Sequence, residues 1–244
     1  VCALTGFATP AASSDGFMLL QLDGHVVKWG KSNLNAPARI TYAFVTSPLR
    51  DGSARNCKAV DRLDDLARRS GLKPEDIKRE AEAAFRLWED VAGVTFAEAR
   101  SEEEADILIG QQMQPRGHAF ANVRLKDQEL ATKPGGSNNS RGFGERALPE
   151  PLPPIDRDRP VTAIERSTIC LNPERPWKIG FDGNADVYDL RYTFAHEIGH
   201  AIGLDHYRRD GNLMSFRYSE DFRTPQAGDA AGARTLYGPP LPLD

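Results

Sequence analysis

The chain has 244 residues, of which 40% are hydrophobic and 27% charged, with a net charge of −4. That composition suits a globular protein able to bury a real core. It offers no broad basic field for nucleic acid, and no run approaches the roughly 20 apolar residues that span a bilayer.

Residues 1–12 (VCALTGFATPAA) are small and apolar, and Ser13, Ser14 and Asp15 follow. The stretch reads either as the tail of a secretory signal or as a frayed terminus, so residues 1–19 are set apart from the domain. A signal implies export to the extracellular space or periplasm and the loss of Cys2. Cys57 and Cys170 then remain, either bridged in an oxidising compartment or as two buried thiols.

Residues 39–45 (RITYAFV) read as a strand, and 58–70 as a short charged helix ending near Gly71. A second helix begins at Pro74, where Glu75 and Asp76 complement the positive end of its dipole. Ile77, Ala81, Ala84, Phe85 and Trp88 give it one apolar face before Gly93 stops it. Strands are predicted at 94–99 and at 105–110, the second apolar enough to be central. The Glu102-Glu103-Glu104 run is a turn between them. Residues 118–125 alternate as an edge strand does. Residues 131–160 hold six prolines and four glycines and are predicted to be a long loop. A strand at 162–171, a helix at 186–204 and a final helix at 225–236 complete the chain.

The decisive run is His196-Glu197-Ile198-Gly199-His200-Ala201-Ile202-Gly203-Leu204-Asp205-His206. Residues i and i+4 share one face of a helix, so His196 and His200 can turn to a single ion. Glu197 is offset by one position and suits a general base beside the metal-bound water. Gly203 accepts the left-handed conformation that ends helices, which lets the chain turn and bring His206 back as a third ligand. Three protein ligands leave the fourth position open, as catalytic zinc requires. Eight residues beyond His206, Met214 in Gly211-Asn212-Leu213-Met214-Ser215 matches the methionine turn that follows the extended motif.

With these residues in view, the chain resembles a metzincin zinc metalloprotease of the matrixin family, that of the matrix metalloproteinases. Leu22-Asp23-Gly24, Lys28-Trp29-Gly30 and Ile40-Thr41-Tyr42 are similar to the start of a matrixin catalytic domain. Ala105-Asp106-Ile107 is similar to its third strand and Leu236-Tyr237-Gly238 to the end of its last helix. The resemblance covers residues 20–238 and leaves 239–244 as a tail. It implies an α+β, zincin-like fold: a twisted five-stranded mixed sheet with a backing helix and an active-site helix, then a small C-terminal subdomain with the Met-turn and final helix. It implies a monomeric zinc endopeptidase acting on proteins or peptides, with one catalytic zinc. The predicted substrate-binding residues are Ala119, Phe120, Ala121 and Asn122 on the edge strand, where an extended peptide would add as a further strand.

The departures narrow the expectation. Matrixins usually carry a second zinc on three further histidines, and only His25 and His118 remain here. His25 reads as a solvated side chain, and His118 as structural rather than a ligand. Cys2 and Cys57 sit in contexts unlike a latency cysteine. Serralysins share the motif, but their glycine–aspartate calcium repeats are not seen. Calcium is a further candidate through the oxygens of Asp156 and Asp158, or of Asp182 and Asn184. The usual proline after the Met-turn is absent. Some metzincins place a tyrosine two residues after the methionine; Phe216 stands there, and the direction of Tyr218 is not readable. Two other functions fit the same cleft: a catalytically silent protein-binding relative, against which the intact Glu197 argues, and hydrolysis of a non-peptide ester or amide.

Overall fold

The computed structural model describes residues 16–126 and 160–242. The predicted loop at 131–160, with Asp156 and Asp158, lies outside the described residues except for Pro160. Three short strands come first: β1 (Met18–Leu19), β2 (Gln21–Leu22) and β3 (His25–Lys28). The folded unit therefore includes Met18 and Leu19, ahead of the boundary expected at residue 20. β4 (Ala38–Phe44) follows, then β5 (Leu49–Arg50) and β6 (Ala59–Asp61), and then helices α1 (Asp64–Ser70) and α2 (Pro74–Glu89). The helix expected at 58–70 thus starts only at Asp64, and three of its first residues form β6 instead. Val60 is buried, and β6 pairs antiparallel with the end of the strand at 107–112, so sheet pairing overrides local helix propensity.

The sheet is completed by β7 (Val94–Glu98), β8 (Ile107–Gln112), β9 (Ala119–Leu125) and β10 (Val161–Leu171). β7, β4, β8 and β10 run parallel, and β9 closes the edge antiparallel to β10. These are the five expected strands of the mixed sheet. β2 and β3 extend it along the first residues of β10, and β5 and β6 extend it beside β8. The remaining elements are β11 (Trp177–Lys178), β12 (Tyr188–Asp189), α3 (Leu190–Ala201), β13 (Leu204–Asp205) and α4 (Ala227–Tyr237).

One face of the sheet carries Ile107, Ile109, Ile169 and Leu171, all buried in the main core with α2 and α3. The apolar face of α2 lies here: Phe85 stacks on Tyr42 at 4.4 Å, and the Trp88 indole donates to the Ala195 carbonyl of α3 at 2.8 Å. That bond fixes the backing helix against the helix that holds the zinc motif. The opposite face buries Ala43, Val45, Val60, Leu108 and Cys170 together with Cys57. Cys57 and Cys170 are bridged there, with Cα atoms 5.7 Å apart, which settles the choice between disulfide and free thiols.

α3 begins later than the 186 expected. Asp189 is its N-cap, with Oδ1 accepting from the Tyr192 amide at 2.8 Å, and Tyr188–Asp189 pair with β11 instead. Asp189 also takes both arms of Arg223, whose guanidinium reaches Glu80 on α2; Glu80 in turn holds Arg191 of α3. Four charged groups thus bind α2, α3 and the segment before α4 into one body.

Candidate metal centre

α3 places His196 and His200 one turn apart, with ring centroids separated by 4.9 Å. The helix ends at Ala201, and Gly203 adopts φ +103°. A Cβ at Gly203 would lie 2.2 Å from the Val27 carbonyl oxygen, so both the conformation and the close approach of β3 demand glycine. The chain then returns through β13, which pairs with β1. His206 arrives with Nε2 3.1 Å from His196 Nε2 and 3.2 Å from His200 Nε2.

The donor set fits a metal. His196 Nδ1 lies 2.7 Å from the Leu213 carbonyl and His200 Nδ1 lies 2.8 Å from the Leu204 carbonyl. A carbonyl only accepts, so each Nδ1 carries the hydrogen and each Nε2 keeps its lone pair. Burial pulls the His200 imidazole down to about 4, and burial with the neighbouring His200 charge pulls His196 well below its ordinary value. Protonation is therefore a poor way to relieve the clustered lone pairs. A cation among the three nitrogens relieves it, and three histidines with an open fourth position are the donor set of catalytic zinc.

Glu197 is buried, and its Oε2 meets no hydrogen-bond partner among the described residues. Burial pushes its carboxyl up to about 8, while the Ala121 backbone N–H pulls the other way. A buried carboxyl oxygen without a partner is costly unless something polar is to meet it.

Met214 lies directly beneath the motif. A Cβ on Gly199 would come within 2.3 Å of the Met214 sulfur, so the motif glycine is the seat for the thioether. The turn is held from α4 by Asp229, which accepts from the amides of Leu213 at 2.7 Å, Met214 at 3.0 Å and Gln226 at 2.7 Å. Since Leu213 also supplies the carbonyl that orients His196, Asp229 supports a metal-site histidine at one remove. Asp229→Ala leaves buried amides without acceptors, and the expected cost is on the order of 3 kcal/mol, read from urea unfolding of the metal-free protein. An unchanged urea midpoint would show that the turn holds itself. Sequence reading missed Asp229; its only signal was its place three residues after Gln226, as in a capping box.

The comparisons agree with this geometry. A model of the matrixin family matches residues 157–238. Interstitial collagenase of Sus scrofa is 32% identical over 170 residues, covering 69% of this chain and 29% of that protein. Matrix metalloproteinase-23 of Rattus norvegicus is 30% identical over 172 residues, covering 70% of this chain and 39% of the relative. The chain carries a matrixin domain. Stromelysin-3 of Homo sapiens, at 29% identity over 174 residues, is also similar. The matched stretch spans between 29% and 39% of the length of these three relatives.

Within this matrixin domain the other predicted residues fall unevenly. Ala119, Phe120, Ala121 and Asn122 all lie on the edge strand β9, and Ala121 turns its amide toward Glu197. The Asn122 side chain is used elsewhere: its Oδ1 accepts from the amides of Arg55 at 3.1 Å and Asn56 at 3.3 Å. His25 is half-buried against the Thr162 hydroxyl at 2.6 Å, rather than solvated. His118 stacks on Tyr188 at 4.1 Å, and burial, with the Arg175 charge, pulls it down to about 4. The oxygens considered for calcium, Asp182 Oδ1 and the Asn184 carbonyl, surround the Lys178 ammonium. A lysine charge already stands where that cation would go.

Tyr218 points its hydroxyl at the start of α3. It accepts from the Asp189 amide at 3.0 Å and donates to Glu220 Oε1 at 2.9 Å, with its ring stacked on Tyr188 at 4.3 Å. Tyr218→Phe should therefore cost stability of about 1 kcal/mol and fall well short of the roughly 100- to 1000-fold kcat loss of a missing oxyanion donor. A loss in that range with folding and zinc content intact would make Tyr218 a catalytic residue.

Proposed function

We propose that this matrixin domain is a zinc-dependent endopeptidase in which His196, His200 and His206 hold one zinc and Glu197 is the general base and acid. The observation that carries this reading is the meeting of three buried histidines, with His206 Nε2 3.1 Å from that of His196 and 3.2 Å from that of His200, beside a buried, partner-poor carboxyl on the helix that holds the first two. Zinc, when bound, supplies a Lewis acid that polarises the scissile carbonyl and the attacking water. Glu197 takes a proton from that water and returns it to the departing amine. Its raised affinity for a proton, caused by burial, suits both halves of that task. The substrate lies extended along the outer edge of β9, where the backbone of residues 119–122 binds it in register and neighbouring side chains choose residues. A Cys57–Cys170 bridge fits an oxidising compartment, so the domain works outside the cell or in a periplasm.

The test is to incubate the full chain, loaded with zinc, with a diverse peptide library and to map the cuts. Internal cuts that vanish on chelation and return with zinc are expected. Hydrolysis of a simple ester with no peptide cut would overturn the reading. Elemental analysis after gentle dialysis should give one zinc per chain, and two tightly held zinc ions would refute that count. Proline placed in turn at positions 119 to 122 removes one backbone donor each time and should raise KM wherever that donor faces the peptide; proline tolerated at every one of these positions would argue against strand addition at β9.

A further inference from the structure

Two of the three histidines are held by their edges, through Nδ1 to the Leu213 and Leu204 carbonyls. The third, His206, has a close neighbour on its ring face. Its ring face lies on Phe216, with centroids 4.1 Å apart and planes 18° from parallel. The backbone sets this contact. Tyr207 donates its amide to the Met214 carbonyl at 2.7 Å and bridges to Ser215, so residues 206 and 216 are brought side by side. Ser215 is pinned in turn, its hydroxyl donating to the Arg209 carbonyl at 2.7 Å.

We infer that Phe216 is a positioning residue for the metal, its stacked ring fixing the plane in which His206 presents Nε2. The inference rests on the zinc reading above. The lone pair of an imidazole nitrogen lies in the ring plane, so rotation about Cβ–Cγ swings it away from the ion. A flat neighbour at van der Waals distance opposes that rotation. An aliphatic side chain of similar volume covers the ring without selecting its plane. Phe216 thus does for His206 by its face what a carbonyl does for each of the other two by its lone pair. Hydrogen-bonded partners of ligating histidines are worth roughly 10- to 100-fold in metal affinity when lost, and a stacked ring that fixes the same orientation should act at the lower end of that range.

The test is the rate at which zinc passes from the full chain to a chromophoric chelator, together with the visible spectrum of the cobalt-substituted protein. Phe216→Ala and Phe216→Leu should release zinc about 10-fold faster and alter the cobalt bands. Phe216→Trp, which keeps a flat ring there without adding a metal ligand, should stay closer to the native protein than either on both counts. Melting of the metal-free variants checks that the fold is intact; should the alanine variant fail to fold, the leucine variant decides alone. Native release from Phe216→Ala, or full restoration by Phe216→Leu, would overturn the inference while the native chain still holds zinc and cuts peptides. A native chain that holds no zinc would overturn the zinc reading and this inference with it.

Discussion

Glu197→Gln should abolish peptide cleavage while leaving zinc content unchanged. The substitution keeps the shape of the side chain and removes its ability to take a proton. A positioned general base or acid contributes roughly 100- to 10,000-fold, and Glu197 is proposed for both roles, so the loss in kcat should reach the upper part of that range. The proposed zinc ligands are three other side chains, hence the expectation of intact metal by elemental analysis. The same variant should be more stable than the native chain when both are metal-free. Burial raises the native carboxyl from 4.5 to about 8 in the folded state. Between those values the unfolded chain has released the proton and the folded one has not, so native stability falls as pH rises. Above about 8 the folded carboxyl is ionised and the penalty is complete. The melting advantage of Glu197→Gln should therefore grow from the mildly acidic range to about pH 8 and then level off. Retained peptidase activity in Glu197→Gln would refute the general-base role. An advantage that does not change with pH would show that the carboxyl is not paying for its burial.

What was legible in the sequence was whatever depends on local periodicity. The i, i+4 histidines, the helix-ending glycine and the apolar stripe of α2 all express helical geometry over a few residues. The central strand β8 declared itself because a strand buried on both faces has no room for polar alternation. What stayed hidden depends on partners far away in the chain. The residues before α1 form a strand because Gln111 and Gln112 pair with them. Asp189 ends a strand and caps a helix with its charge met by Arg223, 34 residues further along the chain. The Phe216 contact was hidden for a related reason: the methionine turn was visible, but not which ring the residue after it would meet. Lys178 filling the place considered for calcium is a fact of three-dimensional charge that acidic composition alone suggested the other way.

Replacing both bridged cysteines should give the largest loss of stability of any pair of substitutions considered. The bridge closes a loop of 113 residues, and the chain-entropy model assigns such a crosslink about 4–5 kcal/mol. Both must be replaced, since a lone buried thiol adds its own effects. A second contribution is separable. Cys57 sits at φ +46°, a conformation that side chains other than glycine adopt at a cost of roughly 1–2 kcal/mol. In the native chain the bridge holds it there; in Cys57→Ala/Cys170→Ala nothing does, and the 49–58 excursion should rearrange. Cys57→Gly/Cys170→Ala tolerates the same backbone and should keep it. The neighbouring amides of Arg55 and Asn56 donate to Asn122 on β9, so the rearrangement reaches the strand proposed to hold substrate. The alanine pair should therefore show a raised KM with kcat little changed, and the glycine pair a smaller rise, although both lose most of the crosslink stability in urea. Equal KM values in the two pairs would break the link from the bridge to β9, and a urea midpoint equal to that of the native chain would show that the crosslink contributes nothing to the fold.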